Sequence, residues 1–401
     1  MPGPLDGIRV VELGQFQQGP VATMRLGDLG ADVIKVEAPA GDPARGFMRL
    51  VAVDAGLTGR NYYFEGHNRN KRSIVLDLKR EKGIEVFLKL IDWADVFVNN
   101  LSINAPDRMG IGYEVLRKRN PRLIYAHTSG WGRKGPDADA LSFDYTGVAR
   151  SGLMMLAGER GSPPQSLVPG MGDEVGALMC GYAVCAALYA REKTGKGQRI
   201  DTSLMSGLIS MERLALSAPA FLGQEYPRWD RSRAGNATYN HYKCKDDKWL
   251  VLAHLQPDRY WPNVCKALGL EKLEHDPKFS TVEDRHKNAE ELVSIFDKKL
   301  ASKTRSEWME IFKKEGLIFA PIQTTAEVVS DPQAIANEYI IEVDEPGGGK
   351  TKQVGFPWMF SETPTSVRRL APELGEHSEE ILLELGYSRD DIAGLKQDGI
   401  I

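Results

Sequence analysis

One aspartate stands out by its setting. In Pro163-Pro-Gln-Ser-Leu-Val-Pro-Gly-Met-Gly-Asp-Glu-Val-Gly-Ala177, Asp173 lies between a glycine-rich loop and the first turn of an apolar helix expected over Glu174–Lys193. The free N–H groups and dipole of a helix N-terminus keep a carboxylate ionised. Flanking glycines admit a bulky electrophile, and an ionised carboxylate can act as a nucleophile in covalent catalysis. The same position suits an ordinary N-cap, which accepts hydrogen bonds from those N–H groups. The two readings do not exclude each other.

Other chemistries find less material. Glu37, at the end of the second expected strand, sits where a ribose-binding acid would. Yet Gly14-Gln-Phe-Gln-Gln-Gly19 is not GxGxxG, and no GxxxxGK[ST] loop occurs, so a nicotinamide dehydrogenase has weak support. Cys180, Cys185, Cys244 and Cys265 form no CxxC pair and have no nearby His at ligand spacing. The seven histidines are scattered, so no metal centre is expected. Cys180 and Cys185 fall in the apolar helix, where free thiols act as small core hydrophobes.

The elements that must position Asp173 read as follows. Short β-rich runs at Ile8–Leu13, Asp32–Glu37, Ser73–Leu78, Asp95–Asn99 and Leu123–His127 alternate with helical segments at Val21–Leu29, up to Trp93, and at Tyr113–Arg119. Strand, helix, strand at this spacing predicts an α/β fold with an open, doubly wound parallel sheet. Such sheets bind ligands outside the carboxyl ends of their strands, which selects the loops 14–20, 37–45, 99–108 and 128–144. A glycine- and proline-rich connector, 158–172, leads to the apolar helix, which stops at Gly195 and Gly197. Beyond it come a helical stretch near 206–225, a strand at Trp249–His254, and helical patterns near 258–268, 289–300 and 305–315. A Gly347-Gly-Gly349 turn and two short helices, Ser378–Leu385 and Ser388–Gln397, close the chain. We read a large domain built from both chain ends, 1–205 with 330–401, and a smaller α+β domain at 225–325. The segments 206–224 and 326–329 are read as linkers.

At 401 residues the chain has room for two or three domains. Hydrophobic residues make up 42%, enough for a core, and 51 basic against 55 acidic residues leave −4. That balance makes no electrostatic case for nucleic acid or an anionic membrane. The uncharged run 175–190 is closed by Glu174 and Arg191; it is too short to span a bilayer and reads as a buried helix. The N-terminus MPGPLDG lacks the blocks of a signal peptide, so a soluble, cytoplasmic protein is expected.

Several segments carry a resemblance through their order and spacing. They are Leu5-Asp-Gly-Ile-Arg-Val-Val-Glu-Leu13, Gly30-Ala-Asp-Val-Ile-Lys-Val-Glu37, Gly41-Asp-Pro-Ala-Arg45 and Asn70-Lys-Arg-Ser-Ile74. Ser129-Gly130 with Gly135-Pro136, Gly172-Asp173, Lys193-Thr-Gly-Lys-Gly-Gln198, Leu374-Gly-Glu-His377 and Glu384-Leu-Gly-Tyr387 complete the set. Together they resemble the class III CoA-transferases, the family of formyl-CoA transferase, carnitine CoA-transferase and α-methylacyl-CoA racemase, nearly end to end. The resemblance implies two interlocked ring-like subunits, as a homodimer or with a sister subunit. It also implies CoA transfer between an acyl-CoA and a free carboxylic acid. The CoA thioester enters as substrate, and no cofactor stays bound.

The resemblance makes Asp173 the nucleophile. Its carboxylate attacks the thioester, the CoA thiolate returns to the aspartyl carbonyl of the mixed anhydride, and an aspartyl-CoA thioester results. A second acid then reverses both steps, with no ATP or metal. Gln17 matches a glutamine near the reacting carboxylate, whose amide could donate to the oxyanion. Asp144, in Ser142-Phe-Asp-Tyr145, matches an acidic active-site position of open role. Arg45, Lys71, Arg72, Asn100 and Arg108 fall in segments that hold CoA in relatives; an ordinary surface charge is the other reading of each.

The departures from the family pattern matter too. Racemases carry a His immediately before the Asp of the Phe143-Asp144 pair, and Phe143 argues against that activity, which is kept as the alternative. A non-catalytic CoA-binding protein is a further one. Ala38 and Leu141 replace an Arg and a Lys of formyl-CoA transferase, and Gly235-Asn-Ala-Thr-Tyr-Asn240 replaces its four-glycine run. Formyl-CoA is therefore not the expected donor. Tyr239, Asn240 and His241 are candidates to touch the acyl group. In the loop Tyr226–Arg233, Arg228 and Arg231 could recognise the second carboxylate of a dicarboxylic acyl chain such as succinate. An aromatic acid, or a charged boundary linker with no substrate role, is equally open there.

Overall fold

The computed structural model describes residues 2–46, 61–345 and 347–401. The chain divides into two compact units, one of residues 1–154, 165–226 and 338–401, the other of residues 155–164 and 227–337.

The first unit is built on six parallel strands: β1 (Arg9–Leu13), β2 (Asp32–Glu37), β3 (Lys71–Val75), β4 (Val96–Asn99), β5 (Ile124–Ser129) and β6 (Arg199–Ser203), in the order β3-β2-β1-β4-β5-β6. Successive side chains of a strand point to opposite faces. Thus Val11, Ile34, Phe97 and Tyr125 pack into one core with Phe87 and Leu90 and with the terminal helices through Ile381, Leu382 and Ile392. Val10, Val33, Val98 and Ala126 pack into the opposite core. A sheet covered on both faces favours apolar residues at most strand positions, which is why most of these runs read as hydrophobic stretches, interrupted by buried charges such as Glu12, Lys35 and Lys71. The sixth strand, Arg-Ile-Asp-Thr-Ser, has no such run. It is a partly exposed edge held by its register with β5, Tyr125 opposite Arg199, and composition does not reveal it.

The helices of this unit that matter to the site are α1 (Gln18–Asp28), α2 (Tyr62–Asn68), α3 (Asp144–Ser151), α4 (Met171–Thr194), α5 (Leu204–Met211) and α6 (Arg213–Leu222). The segment expected as a linker at 206–224 is therefore the α5–α6 pair, inside the first unit. Helix α4 begins three residues before its expected start and runs for 24 residues. At about 1.5 Å per residue it is long and apolar enough to cross a bilayer, which corrects the expectation of too short a segment. Here it packs against α1, α5, β5 and β6, burying Ala177, Cys180 and Val184. Strands β10 (Ile340–Asp344) and β11 (Lys350–Val354) pair antiparallel around the expected glycine turn, with Gly348 and Gly349 at positive φ.

In the second unit β7 (Tyr239–Lys243), β8 (Trp249–Ala253) and β9 (Phe319–Ile322) form an antiparallel sheet. Tyr242, Leu250, Trp261, Phe296, Trp308 and Phe312 fill its core together with helices at Pro257–Leu268, Ala289–Leu300 and Arg305–Lys314. Residues 330–337, expected in the large domain, belong to this unit.

Candidate active site

Asp173 is the third residue of α4, not its cap. The cap is Gly170, whose φ of 76° is left-handed, and the free N–H groups of the helix start are taken by another side chain. Asp144, the first residue of α3, accepts from Gly170 N at 3.0 Å through Oδ2, and from Gly172 N at 2.6 Å and Asp173 N at 3.3 Å through Oδ1. This closeness requires glycine: a Cβ on Gly172 would stand 2.9 Å from Asp144 Oδ1.

That arrangement corrects the expectation of a carboxylate kept ionised by the helix terminus. The donors that would stabilise the Asp173 anion already serve Asp144, which adds a like charge. Burial first, then the Asp144 carboxylate and then that of Glu174 push Asp173 up to about 7. Near neutrality it is therefore divided between a neutral acid and an anion that is more basic, and a better nucleophile, than a solvated aspartate.

Gln17 is buried and lines the same cavity, of about 260 Å³, as Asp173, Asp144, Phe16, Asn100 and Phe143. Its amide is oriented at both ends: Nε2 donates to Glu174 Oε1 at 3.2 Å, and Oε1 accepts from the Tyr63 hydroxyl at 3.3 Å. Glu174 is in turn held by Arg25, Nη2 to Oε2, at 2.6 Å. Tyr63, Glu174 and Arg25 were not singled out in the sequence. Adjacency to Asp173 was the one available signal for Glu174, and none existed for Tyr63, which α2 brings in from a separate segment.

The residues expected to hold CoA separate into two sets. Asn100 is at the site: Nδ2 donates to Gln15 O and Oδ1 accepts from Gln15 N, pinning the loop ahead of Gln17. Arg108 is exposed beyond β4, at the end of the turn Ala105–Arg108. The other three have protein partners. Lys71 is fully buried, with Nζ 2.7 Å from Glu12 Oε2, and donates to Pro20 O and Asn68 Oδ1. Arg72 is paired with Asp32, Glu380 and Glu384. Arg45 grips both oxygens of Glu37, at 2.8 and 2.7 Å, and lies over the Phe64 ring. For Lys71 and Arg72 the expectation of cations offered to phosphates is corrected. A strand residue in a sheet covered on both faces points into the core, and there a charge persists only when paired. Glu37, bound by Arg45, Ser73 Oγ and Asp42 N, is likewise committed and not open to a ribose.

The candidates for acyl contact lie in the second unit. Tyr239 is half-exposed and meets Trp229 edge to face. Asn240 is buried and donates to Arg231 O, and His241 packs on Trp249. Arg231 forms a two-bond pair with Asp297, both contacts at 2.9 Å, and Arg228 donates to the carbonyls of Met155, Ser162 and Pro163. Both guanidiniums thus tie the 226–233 loop to its own unit, and the expectation of free cations awaiting a second carboxylate is corrected. Among the described residues no group of three or more His, Cys, Asp or Glu side chains could hold a metal ion.

A doubly wound α/β unit with a half-buried carboxylate raised in pKa at the carboxyl edge of its sheet suits group-transfer chemistry. Residues 5–378 match the model of CoA-transferase family III, and the chain belongs to that family. An "Acyl-CoA transferase" of Fusarium pseudograminearum is 36% identical over 100% of this chain and 88% of its own. The "Cinnamoyl-CoA:phenyllactate CoA-transferase" of Clostridium sporogenes is 33% identical over 98% and 96%. Among solved structures, a "CAIB/BAIF family protein" from Brucella suis superposes with a TM-score of 0.86 at 31% identity, over 96% of this chain and 100% of that one. The protein is a CoA-transferase acting on CoA thioesters.

Proposed function

We propose that the chain moves CoA from an acyl-CoA to a free carboxylic acid through a thioester on Asp173. The observation that carries this reading is the Asp173 carboxylate, raised to about 7 and facing a cavity that also holds the oriented Gln17 amide. An Asp173 oxygen attacks the donor carbonyl, the C–S bond breaks, and CoA leaves as thiolate. The thiolate attacks the aspartyl carbonyl of the mixed anhydride, and the first acid leaves as carboxylate. The acceptor carboxylate attacks the aspartyl-CoA thioester, releasing thiolate again. The thiolate then takes the acceptor's acyl group and returns Asp173 as carboxylate. Each step exchanges one activated acyl bond for another, so no external energy source is needed. A side-chain amide beside the reacting carbonyls supplies a donor where negative charge develops.

For the substrate we propose an aromatic or branched apolar acid, with succinyl-CoA among the donors to be tried. Phe16 and Phe143 meet edge to face, centroids 6.1 Å apart, and line the cavity with Leu101, Ile103 and Leu141. The Arg228 and Arg231 engagements remove the support for a dicarboxylate bound by that pair. A racemase would need a second base for the α-proton. Phe143 stands where such a base would precede Asp144, and Asp144 itself caps α4. We propose assembly as an interlocked homodimer, supported by exposed Tyr182, Tyr189, Phe221 and Leu222 on α4 and α6. The four free cysteines support a reducing compartment such as the cytoplasm.

The test is intact-protein mass after mixing with succinyl-, acetyl- and cinnamoyl-CoA, beside Asp173→Ala. A CoA-mass adduct that requires Asp173 and disappears on adding a free acid is expected. Binding of the whole panel without any adduct would end the reading.

A further inference from the structure

Beneath the Gly14–Gln17 loop lies a cluster of charges fully withdrawn from water. Lys35, Glu12, Lys71 and Asp42 are each 3% exposed or less. Lys35 Nζ contacts Glu12 Oε1 at 2.7 Å and Asp42 Oδ2 at 2.9 Å, while Lys71 takes the other oxygen of Glu12. Four segments of the family pattern supply these residues: β1, β2, β3 and Gly41-Asp-Pro-Ala-Arg45. The proposed reaction uses none of them directly. Buried ion pairs are weak devices for stability, because desolvation offsets most of their attraction. A cluster of this kind calls for a structural consequence that an apolar core would not supply.

The consequence is in the loop above it. Lys35 Nζ donates to Gly14 O at 3.0 Å, and Asp42 Oδ1 accepts from Phe16 N at 3.0 Å and from Ala44 N at 2.9 Å. Phe16 has a φ of +60°, a left-handed backbone that a bulky residue adopts only when its surroundings impose it. The next residue is Gln17, whose amide faces the Asp173 cavity. On the other side of the loop Asn100 brackets Gln15.

We propose that Asp42, seated on Lys35, is a positioning residue for the transfer reaction: its hydrogen bond to the Phe16 N–H holds the left-handed turn that aims the Gln17 amide at Asp173. Without that acceptor the partly buried N–H would lose its hydrogen bond to Asp42, Phe16 would relax toward negative φ, and the turn would deliver Gln17 elsewhere. This inference rests on the reading that Gln17 serves acyl transfer at Asp173, and its experiment separates the two.

The experiment has a kinetic and a structural arm. Rates of CoA-adduct formation on Asp173 are measured for wild type, Asp42→Ala, which removes the Phe16 acceptor, Gln17→Ala and the double variant. Asp42→Ala is expected to slow the wild-type enzyme by about 10- to 100-fold, less than the outright loss of one oriented donor, and to slow Gln17→Ala by less than about 2-fold. Equal losses in both backgrounds would overturn the proposal, as would full activity of Gln17→Ala. Phe16→Pro guards against an Asp42 variant that fails to fold. It leaves the charge cluster intact and removes both the N–H and the positive φ. Phe16→Ala removes only the ring. Proline is expected to reproduce the Gln17-dependent loss and alanine to fall well short of it; equal effects would assign the role to the ring and sink the inference. The structural arm is hydrogen exchange over peptides spanning residues 12–20. Protection at the Phe16 amide is expected in wild type and loss of at least about 10-fold in Asp42→Ala, with β4 unchanged. If wild type forms no adduct with any acyl-CoA, the functional reading fails, and the exchange result still decides whether Asp42 holds the turn.

Discussion

Asp144 Oδ1 lies 3.3 Å from the backbone nitrogen of Asp173 and 2.6 Å from that of Gly172, so one carboxylate closes the helix on which the other stands. The pairing has two opposed effects. It fixes the start of α4, and it places a negative charge beside Asp173, which helps to push that group up to about 7. The geometry that orients Asp173 also raises its basicity.

Adduct formation should therefore depend on pH through Asp173. The rate is expected to rise through an apparent pKa near 7 in wild type, because the neutral acid cannot attack. Asp144→Asn removes the like charge while keeping an oxygen for the N–H groups, so the midpoint should fall by at least about half a unit. A stopped-flow pH profile with an unchanged midpoint would show that burial alone sets the shift.

The same shift carries a stability signature. Asp173 has a folded pKa raised above the ordinary aspartate value of 3.8, so between about 4 and 7 the folded chain binds more protons than the unfolded one. Stability from this group is present below about 4 and is lost as pH rises through about 7. Asp173→Asn should thus raise Tm relative to wild type above pH 7 and lose that advantage near pH 4. A Tm difference that does not vary with pH would contradict the assignment.

The α/β class and five of the six strands, the four inner ones and the edge strand β3, were legible because a sheet covered on both faces writes itself largely as apolar runs. The edge strand β6 was not, since polar residues satisfy an edge. Motif and resemblance pointed to Asp173 and Gln17, which line one cavity, but which charges are free was not legible. Lys71, Arg72 and Asn100 look alike as polar residues in shared segments. Only the fold shows that two point into ion-pair networks while the third lines the cavity. Tyr63 was invisible, because nothing in its local sequence marks a phenol that α2 carries to Gln17.

Lys71 and Arg108 should accordingly fail in different assays. Lys71→Met takes the cation from Glu12 Oε2 and leaves that oxygen only the Thr23 hydroxyl, and breaking such a buried pair costs about 3–5 kcal/mol. A large fall in Tm is expected, with little change in KM for the enzyme that remains folded. Arg108→Ala, on an exposed turn, should leave Tm within about 1 °C. If Arg108 meets a CoA phosphate, KM for acyl-CoA should rise severalfold, on the scale of an exposed ion pair. Unchanged KM would remove Arg108 from the CoA site.

Gly170→Ala tests how tightly Gln17 and the α4 cap are matched. At φ +76° any L side chain is strained, and the added Cβ would lie 2.6 Å from both Gln17 Nε2 and Oε1, far inside contact distance. The Gln17 side chain must then move, which breaks its contacts with Glu174 and Tyr63 together. The left-handed backbone adds about 1–2 kcal/mol of destabilisation. We expect adduct formation to fall about as far as in Gln17→Ala, with acyl-CoA binding retained. Combining Gly170→Ala with Gln17→Ala should restore much of the lost Tm, because the smaller side chain vacates the space the new methyl needs. A double variant less stable than either single one would mean that the two residues are not in the contact described.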